Sequence, residues 1–145
     1  MVQNTEISLD QPEERLRLFI IAMEKWESES WQAMKQADRT SNPKSYEEPA
    51  RRRLITIFQE FCTPKERPDG RLNDLSLANP SDYCSSKLVL TLRKSSPRRA
   101  VFVATSAQRG LVTQWVFVML KQDGRWLVDK KKAVNLNGSE SVWWL

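Results

Sequence analysis

This 145-residue chain contains no histidine and only two cysteines, Cys62 and Cys84. Those residue types supply most zinc ligands, so a zinc site is close to excluded, and no other metal or cofactor is expected. The cysteines form no Cys-x-x-Cys pair. Their spacing permits a disulfide, but two reduced thiols are the favoured reading. Long hydrophobic runs are also missing, and none approaches the roughly 20 apolar residues needed to span a bilayer. The opening Met-Val-Gln-Asn-Thr-Glu lacks the basic start and apolar stretch of a secretory signal, so a cytoplasmic location away from membranes is expected. The basic residues fall in short clusters (Arg51–Arg53, Arg98–Arg99 and Lys130–Lys132) without the interleaved aromatics of single-strand binders. Nucleic acid is therefore not the expected partner. The net charge of +5 points to a basic face and an acidic or neutral partner.

What remains has the composition of one folded domain. Apolar residues make up 40%, with six tryptophans, enough for a real core. Residues 1–9 read as a flexible polar lead. Asp10 then opens a helix as cap, with Pro12 in the first turn and Glu13 at the capping-box position. Leu16, Phe19, Ile20, Met23 and Trp26 follow at the spacing of one buried helix face, which predicts a helix to about Ala37. Glu24, Glu27, Glu29, Lys25 and Lys35 belong on its wet side. Ser45-Tyr-Glu-Glu48 reads as a second capping box. The helix it opens carries Leu54, Ile57, Phe58 and Phe61 inward and Arg51, Arg52 and Glu60 outward. Two prolines and a glycine between Thr63 and Gly70 end it. Arg71–Tyr83 reads as a short strand or irregular crossing.

Alternating runs then predict a sheet: Lys87–Arg93, Ala100–Thr105, Leu111–Leu120 and Trp126–Ala133. Asp123-Gly124 between the last two is a strong hairpin signal, because both central residues of a type I′ turn need positive φ. A two-residue loop sets Gln122 opposite Arg125, Lys121 opposite Trp126 and Leu120 opposite Leu127. One face is then Trp115, Phe117, Met119, Trp126 and Val128, which should receive the helices. The other is Val116, Val118, Leu120, Leu127 and Asp129. That second face is also apolar and calls for a cover. Four covers are open: the Val142–Leu145 tip, a second copy, another protein, or the sheet's own curl. Helices followed by a meander define an α+β domain over residues 10–134, with 135–145 as a tail ending in an apolar tip.

These residues resemble a family. The two helices, the Pro/Gly-rich bend, the crossing with Asn79-Pro-Ser-Asp-Tyr83 and the closing Asp123-Gly-Arg-Trp-Leu-Val-Asp129 are similar to the nuclear transport factor 2-like fold. That fold is a strongly curved antiparallel sheet wrapped around helices as a cone. Phe58-Gln-Glu-Phe-Cys-Thr63, Pro80-Ser-Asp-Tyr83 and Arg99-Ala-Val-Phe-Val-Ala-Thr105 look, more narrowly, like the bacterial immunity proteins of this fold. The resemblance implies a non-enzymatic protein that binds and neutralises a cognate toxin by occlusion. The basic charge departs from the commoner immunity pattern, since an inhibitor of a basic nuclease would be acidic.

The alternative within the same fold is a small-molecule binder or a hydratase- or isomerase-like enzyme using the cone's pocket. Asp82 and Tyr83 are the pocket candidates, with Asp74 and Asp129 as further carboxylates. The opposing reading makes Asp82 a turn or cap residue and Tyr83 a packing residue. For partner binding the candidates are Arg52, Arg98 and Arg99, whose forked guanidiniums suit carboxylates. Asp129 is a recognition residue if buried, or an ion pair of the neighbouring lysines if solvated. Trp143 and Trp144 either dock on their own domain or anchor a homodimer or complex.

Overall fold

The computed structural model describes residues 11–67, 71–72, 75–77, 81, 83–108, 111–143 and 145. Helices α1 (Pro12–Ala37) and α2 (Glu47–Phe61) precede a 3-10 turn (Ser85–Lys87). The strands β1 (Leu88–Ser96), β2 (Arg99–Gln108), β3 (Leu111–Gln122), β4 (Arg125–Val134) and β5 (Glu140–Trp143) follow. They form one antiparallel sheet in sequential order. This is the α+β class expected from the sequence.

Pro12 starts α1, where its missing N–H is harmless. Asp10, the expected cap, lies outside the described residues, and Gln11 takes the cap position without a side-chain cap bond. Leu16, Phe19, Ile20, Met23 and Trp26 are all buried. The buried stripe continues through Glu27 and Ser30, each 0% exposed. Glu27 therefore does not lie on the wet side. It stands one turn after Met23, on the same face, and that face meets the chain near Ser81.

The second capping box does not form. Tyr46, already helical at φ −76°, occupies the cap position of α2 with no side-chain cap bond. The Ser45 and Glu47 N–H groups instead donate to the carbonyls of Asn42 and Lys44, so a turn feeds the helix directly. Ala50, Leu54 and Phe58 are buried, and Ile57 and Phe61 pack at the core's edge. The small Ala50 lets the Trp26 indole reach its carbonyl, to which Nε1 donates at 2.8 Å. Arg51 is not simply exposed: its Nε donates to the Leu72 carbonyl at 2.8 Å, pinning the crossing segment to α2.

The hairpin register is the expected one, with Gln122 opposite Arg125 and Leu120 opposite Leu127. Asp123 and Gly124 have φ of 51° and 77°, as a type I′ turn requires. One residue later the pattern breaks. Met119 pairs with Val128 but Val118 pairs with Lys130, so Asp129 is a β-bulge and does not oppose Val118. Beyond the bulge the side-chain alternation is inverted, and Lys131 rather than Lys130 turns inward, opposite Phe117.

The outer sheet face holds a second small core of Val101, Val116 and Val118, flanked by Val103 and Val134. Arg93, at a bulge in β1, donates to Glu140 of β5 at 2.8 Å. Lys132 stands 3.8 Å from the same carboxylate. These are the two outermost strands, about 19 Å apart in a flat five-stranded sheet at ~4.8 Å per step. A contact across that span requires a strongly curled sheet. The curl, of the four covers considered, is what shelters these valines. Arg93, chiefly by its hydrogen bond, holds the Glu140 carboxyl below its usual range.

The sequence carried no strand signal beyond Val134, yet residues 140–143 form β5 against β4. A turn containing Gly138, at φ 85°, brings the chain back, closed by Asn135 N–H to the Ser139 carbonyl at 2.8 Å. Leu145 is 2% exposed and belongs to the main core. Removing residues 142–145 should lower stability by about 2–3 kcal/mol, the cost of exposing a buried leucine. A thermal melt checks this; an unchanged midpoint would show that Leu145 is not docked.

Candidate functional site

The helices and the sheet enclose a charged centre. The Arg71 guanidinium pairs with Glu27 at 3.2 Å, and both side chains are almost fully buried. Ser81 Oγ donates to the other Glu27 oxygen at 2.6 Å. Arg71 lies 5.8 Å from the ring centres of both Trp26 and Tyr83. Lys131 Nζ sits 4.2 Å from the centres of Tyr83 and Trp115. Tyr83 is 1% exposed and meets Phe19 edge-on at 5.8 Å. Aromatic faces attract cations, and the attraction strengthens once water is excluded. Among the described residues, Tyr83, Arg71 and Lys131 lie buried together between helices and sheet, where the fold resemblance placed a pocket. Of the other pocket candidates, Asp82 and Asp74 lie outside the described residues.

A second polar cluster joins α1, the end of α2 and β4. Arg15 donates to the Trp126 carbonyl at 3.1 Å, the Glu60 carbonyl at 2.7 Å and the Glu60 carboxylate at 3.1 Å. Arg125 donates to the same Glu60 carbonyl at 2.6 Å and lies 3.7 Å from its carboxylate. Beyond α2, Cys62 pairs with Val128 as an isolated parallel bridge, and the Thr63 N–H donates to the Val128 carbonyl at 2.9 Å. Arg67 donates to the Asp129 carbonyl at 3.1 Å. Arg15, Thr63 and Arg67 thus satisfy carbonyls along the first half of β4, while β5 pairs with the second half.

Asp129 anchors this junction. Thr63 Oγ donates to its carboxylate at 2.8 Å and Lys65 Nζ stands at 3.1 Å. Its ion-pair partner is thus Lys65, across the α2 exit. Burial alone would raise the Asp129 carboxyl, but the bonds from Thr63 and Lys65 and the charges of Lys65 and Lys130 outweigh it and hold it below the usual range. Burial also pushes the neighbouring Cys62 thiol up to about 12. Both cysteines are free.

A hollow of about 480 Å³ opens between α2 and the β3–β4 hairpin. Ile55, Phe58, Leu72 and Leu127 give it apolar walls, and Lys65, Arg67 and Arg125 supply cations. A second, open hollow shares Gln122 and Asp123 with it and adds Arg98 and Lys121 on the other side of the hairpin tip. Arg98 and Arg99 are exposed at the β1–β2 turn, whose Arg98 carbonyl accepts from Lys121 N–H at 2.9 Å. Arg52 is exposed on α2, one turn before Ile55. Trp143 lies elsewhere: its ring meets Trp115 at a tilt of 55° and 5.6 Å beside the second half of β4, and Trp144 lies outside the described residues.

Sequence reasoning missed Glu27, Arg71, Lys131 and Arg15. Glu27 carried a signal, since it continues the three-to-four spacing of the buried stripe. Lys131 carried none, because its inward direction depends on the bulge.

Over residues 11–143 the chain matches the family model described as NTF2 fold immunity protein. It is 28% identical over 124 residues to the immunity protein RhsIA of Dickeya dadantii (strain 3937), spanning 86% of this chain and 87% of that protein. No solved structure matches it.

Asp129→Asn should destabilise the domain at neutral pH by roughly 1–2 kcal/mol, through weakened charge-assisted bonds to Thr63 and Lys65. A depressed folded-state carboxyl contributes stability above the unfolded-state value and loses it as pH falls through the folded one. The gap between wild type and variant should therefore close as pH drops below about 4. Urea unfolding across that range measures it, and a pH-independent gap contradicts the assignment. Cys62 should resist alkylation at pH 8 in the native protein and react on denaturation. Mass spectrometry after brief native labelling should find Cys62 unmodified.

Proposed function

This chain belongs to the NTF2 fold immunity protein family, and we propose that it neutralises a cognate bacterial toxin by binding the toxin domain and occluding it. The observation that carries this reading is the packed interior. Tyr83, Arg71 and Lys131 occupy the space between helices and sheet, and the hollows described lie on the outside. Such a molecule is suited to offering a preformed surface to another protein. Occlusion needs no catalytic step from it, and no catalytic residue is assigned.

No helix among the described residues is long and apolar enough to cross a membrane. We place the protein in the bacterial cytoplasm, where it would meet a toxin before that toxin acts on its producer or kin. Against the pocket-enzyme alternative stands the burial of Tyr83, its described pocket candidate, beside Arg71 and Lys131.

Capture of the tagged protein from its native host should recover one stoichiometric partner with a toxic C-terminal domain. Co-expression with that domain should restore growth to cells it otherwise kills. Failure of the co-expressed chain to protect would overturn the reading.

A further inference from the structure

The hairpin end of the molecule combines features that the buried centre and the β5 edge do not. Its first hollow has an apolar lining from two elements, Ile55 and Phe58 of α2 and Leu127 of β4. Ile55 is 37% exposed, although every turn of solvent-facing α2 could have been polar. Of the cations at its mouth, Lys65 is paired with the Asp129 carboxylate at 3.1 Å, whereas Arg125 and Arg67 donate to backbone carbonyls. Arg125 is anchored by the Glu60 carbonyl and Arg67 by the carbonyls of Thr63 and Asp129. The Glu60 carbonyl fixes the Arg125 guanidinium without cancelling its charge. Glu60, whose carboxylate lies 3.7 Å from Arg125, is shared with buried Arg15, so at this group two cations face one anion. Across the hairpin tip Arg98 and Lys121 extend the same sign of charge, with Asp123 between as a single exposed acid of the tip.

Resting on the toxin-binding reading above, we infer that this basic, apolar-lined hollow is the docking surface for the toxin, and that it receives an acidic segment carrying a large apolar side chain. The apolar residue enters between Ile55, Phe58 and Leu127, and flanking carboxylates meet Arg125, Lys121 and Arg98. A volume of about 480 Å³ falls within the range of sites that enclose ligand-sized groups. Preorganised cations lose little side-chain freedom on binding, which is where exposed ion pairs usually forfeit their gain. The chain's excess of basic residues has a use at this surface: electrostatic complementarity speeds encounter and selects an acidic partner over a basic one.

The test is an amide-shift titration of the isotope-labelled full chain with a blocked acidic octapeptide bearing a central phenylalanine. Shifts should concentrate at Ile55–Arg67 and Lys121–Arg125, and affinity should weaken as salt rises. The double variant Lys121→Glu/Arg125→Glu should bind the peptide roughly tenfold more weakly. Because Arg125 also braces Glu60, the exposed Ile55→Asp serves as a second variant that leaves the ion-pair cluster intact. Val142→Lys, on β5, should change nothing. Shifts spread over β5 or α1, no binding, or displacement of the peptide by a short RNA hairpin at lower concentration would each overturn the assignment. The same variants are then assayed against the co-expressed toxin domain. A toxin neutralised equally by wild type and by both variants sinks this surface and leaves the inhibitor reading standing. A chain that binds the peptide here yet protects against no toxin sinks the reading on which the occupant rests.

Discussion

The bulge at Asp129 sets the geometry on which the rest of this fold depends. A strand alternates its side chains with a period of two, so one inserted residue moves everything after it to the opposite face. Before the bulge, Trp126 and Val128 point at the helices; after it, Lys131 and Ala133 do. The inserted residue itself turns its carboxylate to Thr63 and Lys65 at the exit of α2. The bulge therefore positions the helix exit on the β4 edge and places a lysine among the aromatic rings. An unbulged β4 would put Lys130 and Lys132 in the core and expose Ala133.

Burying charge is the second theme, and it follows from the first. Lys131, Arg71 and Glu27 lie among Trp26, Tyr83 and Trp115, close to the centre of the domain. A buried charge is costly unless paired, and hydrophobic side chains of similar volume often serve stability as well. What such a cluster supplies is directionality. Glu27 fixes where Arg71 and Ser81 must lie, and so ties the irregular crossing to α1. Similar pinning occurs where Arg51 holds the Leu72 carbonyl and where Arg15 links both helices to β4. Loops with little regular hydrogen bonding of their own are set by long basic side chains reaching backbone carbonyls.

Among the described residues, both faces of the sheet are thus occupied. The inner face meets the helices. The outer face folds over its own valines, with Arg93 and Glu140 meeting from opposite edges. Membership in an immunity-protein family suits this construction, because a toxin inhibitor needs a defined surface more than a cavity. Of the candidate arginines, Arg98 at the β1–β2 turn lines the open hollow at the hairpin tip. Trp143 lies beside β4 instead, its ring tilted against Trp115.

The sequence by itself determined the class of fold, the helix spans, the strand order and the hairpin turn. Each of these depends on local rules: Leu16 to Trp26 repeat with helical spacing, and Asp123-Gly124 accepts positive φ where few other pairs would. Tertiary structure alone decided the charge placement. Glu27 is buried because Arg71, more than forty residues away in sequence, arrives to neutralise it. Lys131 turns inward because of a register shift that no residue type announces. β5 forms because β4 presents a free edge to four residues with no strand pattern of their own. In each case the deciding partner is distant along the chain, and periodicity records only what a residue's near neighbours require.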